Sequence, residues 1–145
     1  MNHDAICAHL PHAGRMCLLD RLSAWDSESI VCHASSHRDA GNPLRRGGCL
    51  HAVTGVEYAA QAMALHGSLL TATDTPPAMG YLASVRDLKL DLEDLGAITE
   101  DLHIAARRLG GDAGGFIYEF ELRAGSEAVL SGRLAAKLLS TGVLA

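Results

Sequence analysis

The stretch from Leu50 to Thr73, LHAVTGVEYAAQAMALHGSLLTAT, decides the fold of this chain. Alanine, methionine and leucine dominate the stretch, and all three favour a helix. Apolar residues occur all round its helical wheel, which predicts a helix covered on most sides by other parts of the protein. Between Ala52 and Thr73 the only formally charged residue is Glu57. A lone carboxylate on a buried helix is costly unless it is paired, hydrogen-bonded or protonated.

Two interpretations of Glu57 follow from its position. It is either a partly hydrated acid of the first helical turn, favoured there by the helix dipole, or a working acid/base group. The second interpretation rests on the fact that apolar surroundings favour the protonated form of a carboxyl. A membrane span of about 22 residues is excluded because the stretch also carries His51, Gln61 and His66.

Composition narrows the class of protein. The 145 residues predict one domain, residues 1–145, and 48% apolar with 20% charged residues is ordinary for a globular protein. A net charge of −5 argues against a nucleic-acid partner and against an anionic membrane surface. The four cysteines show no CxxC spacing, so we expect reduced thiols in a cytoplasmic protein. The eight histidines form no HExxH pattern, and we expect no metal site and no cofactor.

The rest of the chain predicts strands around the helix. A short helix is expected within residues 1–10, and residues 37–48 form a loop rich in Gly, Asn and Pro, long enough to carry function. Alternating and β-branched segments predict six strands, at Met16–Leu22, Ser29–Ser36, Met79–Leu92, Ile98–Leu109, Phe116–Arg123 and Ala128–Leu139. One long buried helix wrapped by a six-stranded, mostly antiparallel sheet is an α+β layout.

Three segments carry a resemblance to a known family. Leu10-Pro11-His12 followed by Met16–Leu22, then Gly55–Ala62, then Gly80–Val85, occur in the order found in bacterial 3-hydroxyacyl-(acyl-carrier-protein) dehydratases. The chain most resembles the divergent branch linked with aryl-polyene pigment clusters. Its Asn-Pro-Leu-Arg loop and its Glu-Tyr-Ala-Ala-Gln motif carry this resemblance.

This resemblance implies the hot-dog fold and dehydration of a 3-hydroxyacyl thioester to the trans-2-enoyl thioester. It implies as partners an acyl carrier protein with a phosphopantetheine-bound chain, and a second hot-dog subunit in a homodimer or hetero-oligomer. The chain departs from the housekeeping pattern, which has a His-Phe-Pro loop with its His fourteen residues before the helix Glu. Pro43 stands at that position here, and His-Phe-Pro occurs nowhere in the sequence.

The dehydration needs a base, an acid and a donor to the thioester oxygen. Glu57 suits the acid. Two histidines are candidates for the base: His51 at the helix entrance, which we favour, and His37 at the start of the loop. Each has the plainer alternative of a surface or capping residue. Backbone N–H groups at the helix N-terminus, where Gly55 lies, are the expected thioester donors.

Two further side chains are candidates for substrate binding. Gln61 stands one turn after Glu57 and suits a hydrogen bond to Glu57 or to the product water, or alternatively to backbone of a partner subunit. Arg45 suits a phosphate or an acidic carrier-protein residue, or is a solvated cation of the loop. A hot-dog thioesterase and a non-catalytic partner of an active dehydratase remain alternative functions.

Overall fold

The computed structural model of the protein describes residues 1–10, 16–71, 79–112 and 115–139. Two helices, α1 (His3–Ala8) and α2 (Gly55–Thr71), accompany six strands. The strands are β1 (Arg21–Trp25), β2 (Ser29–Ala34), β3 (Met79–Leu90), β4 (Leu102–Asp112), β5 (Gly115–Ala124) and β6 (Glu127–Leu139). Their order in the sheet is β1-β2-β4-β5-β6-β3, with every neighbouring pair antiparallel. The α+β layout of one central helix and a six-stranded antiparallel sheet is therefore confirmed.

The core lies between α2 and the inward face of the sheet. On α2 no residue from Gly55 to Leu70 is exposed, as its all-round apolar sequence predicts. The sheet contributes alternate residues, and on β5 Tyr118, Phe120 and Leu122 are buried while Glu119 and Glu121 between them are not. This period of two is what the strict alternation of that segment predicts.

Glycine allows α2 to approach the sheet closely at the helix start. A Cβ atom on Gly55 would lie 2.3 Å from Leu130 Cδ2 and 3.1 Å from Leu122 Cδ2. Both leucines are fully buried, so neither can move aside without disturbing the core. Gly55 therefore sets how deeply the N-terminal end of α2 enters the concave side of the sheet.

The N-terminal segment differs from its prediction. The first strand begins at Arg21 and not at Met16, because the backbone groups of Met16 and Leu18 bond to the Gln61 side chain on α2. The long helix begins at Gly55, after a 3-10 turn over Ala52–Thr54, and not at Leu50. Pro11 and His12 of the Leu-Pro-His segment, and Thr73 at the end of the predicted helical stretch, lie outside the described residues.

The prediction of four reduced cysteines is wrong for two of them. Cys7 on α1 and Cys17 form a disulfide, with Cα atoms 5.8 Å apart, while Cys32 and Cys49 are free. The two bonded residues come together because α1 packs beside the segment that leads into β1, with Ile6 and Leu10 in the core. Among the described residues, no helix has the length and apolar character needed to cross a membrane.

Candidate active site

Glu57 and Gln61 lie side by side on α2, one helical turn apart. The Gln61 amide donates to Glu57 Oε1 across 3.4 Å. Gln61 is fully buried, while Glu57 is half-buried. The predicted contact between these two residues is therefore present, and it places a fixed amide beside the candidate acid.

The orientation of the Gln61 amide is set by two backbone groups of the N-terminal segment. Its Oε1 accepts the Leu18 N–H at 2.8 Å, and its Nε2 donates to the Met16 carbonyl at 2.6 Å. An amide nitrogen has two hydrogens, so one serves Met16 and the other points at Glu57. The backbone that Gln61 holds belongs to its own chain, which the sequence alone did not indicate.

Tyr58, next to Glu57, connects α2 to Ser36 and to Asn42 of the loop over residues 37–48. Its hydroxyl lies 2.8 Å from Ser36 Oγ and accepts a hydrogen bond from Asn42 Nδ2 at 3.1 Å. Ser36 Oγ also donates to the Leu18 carbonyl at 2.8 Å. Burial raises the pKa of the Tyr58 phenol, so it remains a neutral hydrogen-bonding group. Sequence reasoning missed this cluster, although the Glu-Tyr-Ala-Ala-Gln motif contains its central residue.

His37 lies in a 3-10 turn over Ser36–Arg38 and is completely buried. Its Nε2 lies 2.9 Å from the Glu100 carbonyl, which can only accept, so we assign the ring proton to Nε2. Its Nδ1 has no hydrogen-bond partner within the part of the chain that the structure describes. Burial lowers the pKa of His37, which keeps the ring neutral. The partner of the His37 ring, Glu100, lies just before β4 and not on α2.

His51 is an exposed residue in front of the 3-10 turn that precedes α2. Its backbone pairs with Asp94, and its Nδ1 lies 3.8 Å from Cys49 Sγ. The predicted position at the helix entrance is observed, and the residue is exposed to solvent.

The remaining two candidates, Gly55 and Arg45, both donate hydrogen bonds to backbone carbonyls. The Gly55 N–H donates to the Ala52 carbonyl inside the 3-10 turn, so in this conformation that amide is already engaged. Arg45 donates from Nε to the Asp39 carbonyl and from a terminal nitrogen to the His37 carbonyl, each at 2.9 Å. These bonds close the loop on itself. They also fix the orientation of the guanidinium, which keeps further N–H groups for another partner.

One group of potential metal ligands lies apart from α2. His3, Cys7 and Cys17 bring one ligand atom each to within 4.8 Å of one another. Sequence reasoning missed this group because its third member is brought in by the fold and not by local spacing. His66 on α2 is buried in the core, and both of its ring nitrogens lie within hydrogen-bond distance of an oxygen, one of the Tyr118 hydroxyl and one of the Asp26 carbonyl.

The central helix inside a wrapped antiparallel sheet defines a hot-dog fold protein, and solved structures agree. The dehydratase heterocomplex ApeI:P from Xenorhabdus doucetiae matches with a TM-score of 0.83 at 21% identity, covering 96% of this chain and 93% of that chain. A mutant thioesterase from Pseudomonas aeruginosa matches with a TM-score of 0.61 at 16% identity, covering 96% and 94%. A thioesterase from Haemophilus influenzae matches with a TM-score of 0.57 at 13% identity, covering 83% and 78%.

The sequence itself identifies the family. The profile of the ApeP-like family, described as ApeP dehydratase, matches residues 5–138. The chain therefore belongs to the ApeP dehydratase family. A search of curated proteins gave no match.

Proposed function

We propose that this protein takes part in the dehydration of a 3-hydroxyacyl thioester, held on acyl carrier protein, to the trans-2-enoyl thioester of a growing polyene chain. The observation that carries the proposal is the carboxyl of Glu57 beside the fixed amide of Gln61, on the central helix of a chain from the ApeP dehydratase family. An amide locked by two backbone bonds can hold the carboxyl in one orientation for proton transfer.

In this proposal Glu57 donates the proton that leaves with the hydroxyl as water, and a neutral histidine removes the proton at the α-carbon. His51 is our choice for the base because its ring is exposed at the entrance of α2. His37 is the alternative, with a burial-lowered pKa but a ring that is enclosed and bonded to Glu100. The exposed ring can meet a substrate without any rearrangement of the loop.

The experiment measures hydration of a crotonyl thioester, the reverse reaction, by the loss of enoyl absorbance. Glu57→Gln keeps the shape and removes the acidic proton, so the rate is expected to fall by on the order of 10²–10⁴. Glu28→Gln, at an exposed position before β2, is the matched control and keeps full activity. His51→Ala is expected to be severely impaired and His37→Ala mildly. Full activity of Glu57→Gln would overturn the assignment of the acid.

The proposed partner is a second hot-dog subunit. Support comes from β3, which is an edge strand with Val85 and Leu90 exposed on it, and an open apolar edge favours pairing with another sheet. The ApeI:P structure is described as a dehydratase heterocomplex, which favours a non-identical partner. Sedimentation alone and after co-expression with such a subunit distinguishes the two assemblies. A stable monomer under both conditions contradicts this proposal.

Thioester hydrolysis is the second candidate function, favoured by the thioesterases among the structural neighbours. In that reaction Glu57 activates water instead of protonating a hydroxyl. A free-thiol assay on acyl thioesters, run beside the hydration assay, separates the two reactions. A third outcome, hydration activity only in the presence of the second subunit and unchanged by Glu57→Gln, identifies a non-catalytic partner.

A further inference from the structure

The side chains of His3, Cys7 and Cys17 form a compact group on the side of the molecule where α1 packs. His3 and Cys7 are four residues apart on α1 and therefore share one face of that helix. Cys17 approaches from the buried segment before β1 and is bonded to Cys7. The proposed dehydration does not use this group.

The imidazole of His3 is held in one orientation. Its Nδ1 lies 2.8 Å from the Leu19 carbonyl, which can only accept, so we assign the ring proton to Nδ1. Its Nε2 then presents a lone pair, and this atom lies 3.5 Å from Cys7 Sγ. A ring nitrogen that donates to a backbone carbonyl while the other faces outward is the arrangement of histidines that bind metal ions.

We propose that His3, Cys7 and Cys17 form a metal site that becomes available when the disulfide is reduced, and that it binds Zn²⁺ or another thiophilic divalent cation. The disulfide takes two electrons and two protons from a dithiol reductant, which itself becomes a disulfide. Binding of the cation then releases the two thiol protons, and both thiolates and His3 Nε2 act as ligands. Two cysteines and one histidine form a known ligand set for zinc with an open fourth position.

The surroundings of these three residues suit a cation that keeps one coordination position open for water. His3 and Cys17 line a cavity of about 450 Å³, whose wall also includes Asp20 and Asp39. Water can therefore reach the fourth position from this cavity. Tetrahedral zinc, with Zn–S bonds of about 2.3 Å, requires sulfur atoms roughly 3.8 Å apart, so reduction must come first. The disulfide and the metal site are alternative states of the same three residues.

The site also bears on the proposed active centre. Cys17 stands between Met16 and Leu18, whose backbone groups orient Gln61. Either a disulfide or a bound cation ties this backbone to α1. The proposed cation would thus preserve, under reducing conditions, the anchoring that the disulfide provides under oxidising ones.

The test uses the full chain with Cys32→Ser and Cys49→Ser, which leaves only Cys7 and Cys17. The reduced protein, freed of reductant without air, is titrated with Co²⁺, and the sulfur-to-cobalt charge-transfer and visible d–d bands are followed. We expect one Co²⁺ per chain, displaced by Zn²⁺, and no uptake by the oxidised protein. In the same background, His3→Gln should weaken binding by about 10-fold or more, and Cys7→Ser or Cys17→Ser, each of which leaves one thiolate, should reduce the charge-transfer band to about half or less.

Circular dichroism checks the fold of each variant. Cys7 is partly exposed on α1, whereas Cys17 is buried. Cys7→Ser is therefore the variant to rely on if Cys17→Ser does not fold. Absence of the bands in the reduced parent overturns the proposal. Bands of undiminished intensity in Cys7→Ser, or uptake by the oxidised protein, overturn it equally. Because the readout is a spectrum of the metal, failure of the proposed dehydration leaves the result of this test unchanged.

Discussion

The imidazole of His66 and the hydroxyl of Tyr118 meet at 2.5 Å in the core, where α2 crosses β5. His66 Nε2 lies 2.8 Å from the Asp26 carbonyl, so the ring proton is assigned to Nε2, and Nδ1 accepts the Tyr118 hydroxyl. Burial raises the pKa of Tyr118 to about 12, and the phenol therefore remains a donor at ordinary pH. One residue of α2 thus links the sheet to the turn that follows β1.

Removing the Tyr118 hydroxyl, which donates to His66 Nδ1, should destabilise the protein. Tyr118→Phe leaves a buried imidazole nitrogen without a partner, and we expect the free energy of unfolding to fall by about 1–3 kcal/mol. Urea denaturation at neutral pH measures the change. Ile117→Val, at the exposed neighbouring position on β5, is the control and should stay within about 0.5 kcal/mol of the parent. Equal effects of the two substitutions would contradict the role of the hydroxyl.

Gln61 makes the most specific contact between α2 and the N-terminal segment. Gln61→Met is similar in volume but leaves the Leu18 N–H and the Met16 carbonyl without their partner, so we expect a loss of about 2–4 kcal/mol in the free energy of unfolding. Hydrogen exchange should show the Leu18 amide exchanging faster. The Asp20 amide, bonded to the His33 carbonyl at 2.9 Å, serves as the internal control and should change less. An unchanged Leu18 amide would count against this contact.

Two glycines of α2 should respond in opposite ways to the same substitution. Gly67→Ala adds a Cβ atom with no atom within 4 Å of it, so it should stabilise the helix by about 0.5–1 kcal/mol. Gly55→Ala forces a Cβ atom against Leu130 and Leu122 and should destabilise by about 1–3 kcal/mol. Thermal unfolding of both variants checks the signs. A stabilised Gly55→Ala would show that the helix start has room to shift.

Lowering the pH should reduce the free energy of unfolding through protonation of His37. Its pKa is lowered in the folded state by burial, so below about pH 6.5 the unfolded chain binds a proton that the folded chain resists. The free energy of unfolding therefore falls as the pH drops below that value. His37→Asn should flatten this part of the stability profile. His33, whose pKa is also lowered, requires the control His33→Gln, which should flatten it less because His33 is only half-buried.

The sequence predicted the parts of this structure that depend on local pattern. The all-round apolar stretch predicted α2, and the alternation around Tyr118 predicted which side chains of β5 enter the core. The contact of Glu57 with Gln61 followed from their spacing of one helical turn. These predictions succeed because each depends on residues close in sequence.

Predictions that needed long-range information failed or were not made. The sequence of residues 16–20 predicts a strand, but β1 begins only at Arg21. The backbone groups of Met16 and Leu18 bond to the buried Gln61 amide, which competes with a strand partner for the same groups. The bond between Cys7 and Cys17 has no signature in spacing, since it depends on how α1 packs. The roles of His37 and His51 in catalysis stay predictions.

The order of the strands also determines when the fold can be completed. Strand β3 leaves the ribosome before β4 and β5, but in the sheet of the described residues its neighbour is β6, which is made after both of them. Until β6 has been made, β3 has no neighbouring strand from its own chain in this sheet, and α2 is not fully covered. A newly made chain therefore has to keep an unpaired strand from aggregating until β6 has been synthesised. Timely completion of the sheet thus depends on β6.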